Sequence, residues 1–212
     1  MIGDSYASGE IRKNNAYHDQ YHLSWGQVIA RRNGVHCTNY SKGGLTTRSW
    51  LTDAKGLPLL QSSDPDDLHI IALGINDAEK LGTAYLGDLA DITDDPTGNP
   101  DTFCGNMGRI LGAITTKNPD AKIILMTMAA TNGAKPAYNT MIQQIGEQMG
   151  LPVIVQTDDE FFTSDFYRNT MSWGHPIAVT YSGMALAIER LYSKCAIKYV
   201  NYFKDYIGQE ES

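Results

Sequence analysis

Four short segments of this 212-residue chain, residues 35–40, 68–73, 122–128 and 152–156, are near-continuously apolar or β-branched. A strand with one wet face alternates apolar and polar residues. A strand that is apolar at consecutive positions has to be covered on both faces, which is the pattern of a parallel sheet held between layers of helices. Helical patterns fill the gaps between these runs. Trp25, Val28 and Ile29 follow Ser24 and stop at Asn33-Gly34, a C-terminal cap signal. Met107, Ile110, Leu111 and Ile114 recur at helical spacing and halt before Asn118-Pro119. A third helix is expected to start near Pro136, to carry Met141, Ile142, Ile145 and Met149, and to end at Gly150. A long last helix is expected over residues 180–203, with Met184, Ile188, Leu191 and Cys195 on its apolar side. Strands alternating with helices over the whole length give βαβ units, right-handed crossovers and a doubly wound α/β sheet.

The length suits one domain over residues 1–212, large enough to bury a core without metal or disulfide staples. The chain carries 24 acidic against 17 basic side chains, a net charge of −7. No five-residue window is dominated by Lys or Arg, so a nucleic-acid partner is not expected. No apolar run approaches the ~18 residues of a membrane span, and no charged stretch followed by an apolar one opens the chain. Cys37, Cys104 and Cys195 show no C-x-x-C or His/Cys cluster and are expected to be free thiols, with no zinc site. Residues 79–101 fit no element: glycines, prolines and the acidic Asp88, Asp91, Asp94, Asp95 and Asp101 read as one long loop holding one short helical turn. The calcium-loop pattern is absent there. Residues 209–212 are expected to fray.

In a doubly wound sheet the ligand crevice lies beyond the carboxyl ends of the strands. Three segments fall there: Gly3-Asp4-Ser5 after a two-residue apolar stub, Ser41-Lys42-Gly43-Gly44, and Gly74-Ile75-Asn76-Asp77. A hydroxyl, a glycine turn and a carboxamide supply a nucleophile and oxyanion donors, the equipment of acyl transfer. The base has five candidates. His18, His22 and His36 lie in or beside the first helix region and the strand after it, and His69 lies within a strand run. His175, in Ser172-Trp173-Gly174-His175-Pro176, sits on a loop directly before the final helix.

In this order the blocks resemble the signature of the SGNH hydrolases, also called GDSL esterases and lipases: Gly3-Asp4-Ser5, then Asn39 through Thr47, then Gly74-Ile75-Asn76-Asp77, then Gly174-His175-Pro176. The resemblance spans nearly the whole chain. It implies a three-layer α/β/α, flavodoxin-like fold and serine hydrolase chemistry with no metal and no cofactor. Ser5 would be the nucleophile and His175 the base. The oxyanion hole would be the Ser5 and Gly44 backbone N–H groups with the Asn76 side chain. Gly44 is preferred to Gly43 because matching the Thr46-Thr47 pair to the family's block puts Gly44 on its glycine.

Two departures from the family follow. The family's Asp three residues before the histidine is Ser172 here, so His175 works in a dyad, or Asp158, Asp159 or Asp165 reaches in, or the site is crippled. Only Met1 and Ile2 precede the first block, where the family has a full strand, so the chain is expected either to be excised from a longer polypeptide or to carry Met1 in place of upstream sequence. Residues 85–88 and 102–105 are similar to those of SGNH domains within larger gut-bacterial and phage tail-associated proteins. The expected activity is hydrolysis of small acyl esters, O-acetyl groups on carbohydrate foremost. The site region is polar and aromatic, with Tyr6, Ser8, Glu10, Tyr17, Arg48, Trp50 and Trp173, and residues 11–20 do not make an apolar lid. The alternatives are a lipase or thioesterase of the same family, or a non-catalytic glycan-binding module on a degraded fold. An enzyme is expected to bring Ser5 Oγ and His175 Nε2 within about 2.6–3.2 Å, looser when unliganded. Oligomeric state and localisation are not set by the residues.

Overall fold

The computed structural model describes the backbone of residues 1–207 and the side chains of residues 1–204, so the expected fraying at 209–212 lies outside the described residues. In chain order the strands are β1 (Ile2–Gly3), β2 (Ile11–Lys13), β3 (Ala16–His18), β4 (Tyr40–Ser41), β5 (Leu68–Ala72), β6 (Lys122–Met126), β7 (Val153–Ile154), β8 (Met171–Ser172) and β9 (His175–Pro176). The helices are α1 (Ser5–Ser8), α2 (Trp25–Asn33), α3 (Thr47–Trp50), α4 (Leu57–Ser62), α5 (Ile75–Lys80), α6 (Phe103–Lys117), α7 (Lys135–Met149), α8 (Glu160–Thr163), α9 (Asp165–Asn169), α10 (Ala178–Lys198) and α11 (Val200–Ile207). Five strands pair in parallel in the order β4-β1-β5-β6-β7, and the pairs β2–β3 and β8–β9 are separate antiparallel hairpins. Counted along the chain, the main sheet runs 2-1-3-4-5, the flavodoxin-like order, with its switch point at β1.

Successive side chains on a strand point to opposite faces, and this alternation builds two cores from one sheet. Ile71 of β5 and Ile123 and Leu125 of β6 face a cluster with Trp50, Leu60, Ile110 and Ile142. Ile124 and Met126 of β6 face the other way, against Trp25 of α2 and Met184, Ile188 and Leu191 of α10. The expected cap signals act as read: Ser24 Oγ accepts from Gln27 N at 3.4 Å, and Gly34 and Gly150 take left-handed φ of 67° and 64°.

Three expectations are corrected. Of residues 35–40, only Tyr40 enters a ladder, because the one partner available to β4 is the two-residue β1; Val35 is 61% exposed. The single helix over 180–203 is broken at Tyr199 (φ −108°, ψ 36°). The break lets the Tyr202 hydroxyl bond both Ile123 N and Ile123 O, at 2.9 and 3.3 Å, and buries Phe203. Residues 79–101 hold the end of α5 and three 3₁₀ turns, at Thr83–Tyr85, Leu89–Asp91 and Pro96–Gly98, rather than one. The aspartates there have local work. Asp88 and Asp95 cap the N–H groups of Ala90 and Thr97, Asp91 accepts from Thr102 Oγ1, and Asp101 pairs with Arg48. Cys37, Cys104 and Cys195 are free thiols.

Candidate active site

The chain leaves β1 at the switch point and turns at once into α1, so Ser5 stands at the carboxyl end of β1, the second of the five strands, largely buried at 4% exposure. Asp4 caps α1, its carboxylate accepting from Tyr6 N at 3.1 Å. Gly3 has to be glycine here: a Cβ would collide with Ala7 Cβ and sit 3.2 Å from the Ala72 carbonyl oxygen. The Ser5 carbonyl accepts from four donors: the Gly9 N–H that closes α1, Glu10 N at 3.0 Å, Ser8 Oγ at 3.1 Å and the Tyr181 hydroxyl at 3.2 Å. Among the described residues, neither Ser5 Oγ nor Ser5 N–H has a hydrogen-bond partner.

Helix α5 grips the glycine loop at three successive points. Asn76 Nδ2 donates to Leu45 O (3.0 Å), the Asp77 carboxylate accepts from Thr47 N (3.0 and 3.1 Å) and Thr47 Oγ1 (2.6 Å), and Lys80 Nζ donates to Gly44 O (2.8 Å). The two glycines divide their roles. Gly43 N–H is committed to Asp19 Oδ1 at 3.0 Å, and Asp19 also accepts from Ser8 Oγ, which ties the loop to the nucleophile turn. Gly44, at φ +82°, has a backbone N–H with no acceptor among the described residues. One N–H of Asn76 also remains unspent, since a carboxamide has two.

His175 opens β9 in the hairpin that follows α9. This hairpin is fastened to the first one. The Tyr6 hydroxyl donates to Gly174 O (2.7 Å), the Tyr17 hydroxyl to Trp173 O (3.2 Å), and the Arg12 guanidinium lies 3.8 Å from the Trp173 ring centroid. The Tyr17 and Tyr6 rings lie 4.7 and 5.8 Å from the imidazole. His175 Nδ1 faces Trp173 O at 3.4 Å, and Nε2 pairs with Glu10 Oε1 at 3.0 Å. The expected contact of Nε2 with Ser5 Oγ is therefore not made in this arrangement, because the nitrogen is turned to a carboxylate. Nor do the aspartates considered for the missing position reach the ring. Asp159 forms a two-point pair with Arg190 at 2.8 and 2.7 Å, and Asp165 pairs with Arg168 at 2.7 Å. No bond among the described residues joins Asp158 to His175.

The electrostatics follow from this packing. Burial disfavours a protonated His175, but the hydrogen bond and charge of Glu10 outweigh it, helped by the Trp173 carbonyl and Asp4, so the imidazole holds its proton above the usual histidine range. Burial pushes the Asp4 carboxyl up to about 7 and that of Asp77 up to about 6, the latter against the Thr47 donors. Sequence reasoning passed over Glu10 as a partner of His175 and did not name Asp19 or Tyr181. The one available signal was Gly9, whose left-handed φ of 75° caps α1 and turns the chain back to the serine. Trp50, grouped with the site aromatics from sequence, is fully buried and donates Nε1–H to Tyr40 O, so it packs the core.

A 2-1-3-4-5 parallel sheet with a serine turn, a glycine loop, an asparagine helix and a histidine loop at one edge defines an SGNH-type α/β hydrolase, a class that acts on esters. The chain belongs to the GDSL-like lipase/acylhydrolase family, whose family model matches residues 1–181. Solved structures share the fold. A protein named for its likeness to GDSL lipases, from Bacteroides ovatus, is 17% identical with a TM-score of 0.64, covering 91% of this chain and 95% of its own. The family 3 carbohydrate esterase of Clostridium thermocellum is 16% identical, TM-score 0.60, covering 94% of both chains. A possible lipase from Chitinophaga pinensis is 20% identical, TM-score 0.52, covering 73% of this chain; the present chain spans 65% of that one. No curated protein matches the chain in sequence.

Proposed function

We propose that the protein is a serine esterase that removes small acyl groups, O-acetyl above all, from carbohydrate. In this reading Ser5 Oγ attacks the ester carbonyl and gives its proton to His175 Nε2. The Ser5 and Gly44 N–H groups and Asn76 Nδ2 receive the oxyanion, collapse releases the alcohol with the proton from His175, and water repeats the sequence on the acyl-serine. The observation that carries the reading is the set of unspent donors: the Ser5 N–H at the start of α1, the Gly44 N–H on the glycine loop, and the second N–H of Asn76 on α5, which holds that loop. Donors fixed in advance need no reorganisation when charge develops, and removing one costs about 2.7–4 kcal/mol.

A cavity of about 40 Å³ lies behind the nucleophile turn, lined by Asp4, Tyr6, Trp25, Met126 and Tyr167 among others; Ser5, Gly44, Asn76 and His175 do not line it, so the preference for a small acyl group rests on the likeness to a carbohydrate esterase. The sugar half is argued from Trp173, two residues from His175 and 73% exposed at φ +54°. Holding a bulky residue in the left-handed region costs about 1–3 kcal/mol, and such strain concentrates at functional sites. The carbohydrate esterase among the structural neighbours is in keeping with this. The observation that favours a glycan-binding module without catalysis is the Glu10 carboxylate on Nε2.

Intact-mass labelling with a fluorophosphonate separates the two without assuming a substrate. One adduct on the wild type and none on Ser5→Ala or His175→Ala supports the esterase, and an acyl series on a sugar scaffold then ranks acetyl first. A wild type that stays unmodified from pH 6 to 9 refutes it in favour of the binding module.

A further inference from the structure

We propose that Glu10, from the nucleophile's own turn, holds the resting proton on His175 Nε2 and so sets the pH at which that nitrogen becomes free to serve Ser5. The inference rests on the esterase reading. Its geometry is specific. Glu10 Oε1 lies 3.0 Å from His175 Nε2, with both side chains largely buried. The Glu10 backbone is locked to the serine, its N–H donating to Ser5 O at 3.0 Å. The Tyr181 hydroxyl bridges Glu10 O (2.8 Å) and Ser5 O (3.2 Å). The carboxylate is thus held at a fixed offset from the nucleophile rather than on a free side chain of the surface.

The second oxygen explains a feature of the sequence. A Cβ on Gly43 would overlap Glu10 Oε2, while its backbone is not in the left-handed region. Gly43 is therefore small to make room for Glu10, and Gly44 is the glycine that the backbone needs. The pair of glycines is one device for the oxyanion and one for the acid.

The groups facing His175 make Glu10 the dominant charge. From α1 come the Tyr6 ring and, behind it, Asp4; from β3 comes the Tyr17 ring; from its own hairpin comes the Trp173 carbonyl. Arg12 of β2 is spent on the Trp173 face. With Nδ1 turned to a carbonyl and Nε2 to a carboxylate, both nitrogens are best satisfied as donors, so the arrangement seen is that of an imidazolium. Two consequences follow. In the resting site Glu10 keeps the proton on Nε2, and His175 accepts the Ser5 proton only after losing it. When Ser5 Oγ bonds to the carbonyl carbon, its proton moves to an Nε2 that has left Glu10 and passes from there to the departing alkoxide, while Nδ1 stays on the Trp173 carbonyl.

The test is an NMR titration of the His175 ring in the wild type, Glu10→Gln and Gly43→Ala, beside the pH dependence of fluorophosphonate labelling in each. Glu10→Gln removes the charge. Gly43→Ala keeps the charge and pushes the carboxylate aside. Both are expected to lower the proton affinity of His175, by roughly tenfold in Glu10→Gln, and to move the acidic limb of labelling downward by the same interval. A merely structural contact would change melting and leave both midpoints in place. If the wild type labels but neither midpoint moves in Glu10→Gln, the proposal is overturned and the esterase reading stands. If the wild type never labels, the esterase reading falls, and the ring titration still reports whether Glu10 holds the proton.

Discussion

Replacing Asp4 by Asn should make the protein more stable at neutral pH and leave it almost unchanged at pH 4. Asp4 is 2% exposed, and its carboxyl is pushed from 3.8 up to about 7. Burial is the main cause. The charges of Asp77 and Glu10 add to it, while the Tyr6 N–H and His175 act the other way. A group whose pKa is raised by folding binds its proton more tightly in the native state. Its contribution is therefore complete below pH ~4 and is lost as the pH climbs toward 7. At about 1.36 kcal/mol per pKa unit, the loss amounts to on the order of 4 kcal/mol by pH 8. Asn cannot ionise, and it still accepts the Tyr6 N–H as a good N-cap. Urea unfolding of wild type and Asp4→Asn should give curves within about 1 kcal/mol of each other at pH 4, diverging to as much as ~4 kcal/mol in favour of the variant at pH 8. Asp77 and His175 also titrate in this range, but they do so in both proteins and largely cancel in the difference. Curves that stay parallel from pH 4 to 8 would refute the reasoning, because they would mean that Asp4 ionises in the folded protein as freely as in the unfolded chain.

Three further outcomes are expected. Asn76→Ala should lower kcat on an aryl acetate by about 10²–10³ with little change in KM, since its free N–H acts only on the developing oxyanion; an unchanged kcat would remove Asn76 from the hole. Trp173→Gly should raise KM for an acetylated oligosaccharide far more than for an aryl acetate, with relieved backbone strain offsetting the lost Arg12 contact and the added chain entropy so that stability changes by no more than about 1 kcal/mol; equal KM changes on both substrates would count against a sugar platform. Gly9→Ala should destabilise more than Gly34→Ala. Both are left-handed, but a Cβ at Gly9 meets Gln20 O at 2.5 Å and Ser24 N at 2.8 Å, whereas Gly34 has open space around it. Thermal melts giving the two variants equal losses would show that the contact, as distinct from the dihedral, carries no cost.

How far the sequence disclosed the molecule depends on how local each determinant is. Runs of apolar residues announced β5 and β6 because Ile70, Ile71, Ile123, Ile124 and Leu125 are each buried or packed on one face or the other. Ser24, Gly34 and Gly150 announced helix ends because a cap is a property of a few neighbouring residues. The block positions were legible because the crevice of a parallel sheet lies where its strands end. Residues 35–39 misled for a physical reason: β propensity cannot report that the partner strand offers only two residues. The break at Tyr199 depends on a hydroxyl reaching Ile123, across 79 positions of chain.

The site divides along the same line. The half proposed to hold the oxyanion is written in short spacings, with Asn76, Asp77 and Lys80 on one face of α5 and Gly44, Leu45 and Thr47 on the loop they hold. The half proposed to move the proton is written in pairs more than 150 residues apart: Tyr6 with Gly174, Tyr17 with Trp173, Glu10 with His175. The hairpin of residues 11–18, read from sequence only as something that is not a lid, turns out to be what seats the histidine loop. The two halves also differ in kind. The glycine loop is fixed by a buried carboxylate, a carboxamide and the exposed Lys80 ammonium, and the histidine loop by tyrosine hydroxyls, a cation over a ring and one largely buried ion pair. The proposed acyl transfer asks different things of the two: Nε2 has to turn from Glu10 toward Ser5, while the donors held by α5 stay where they are.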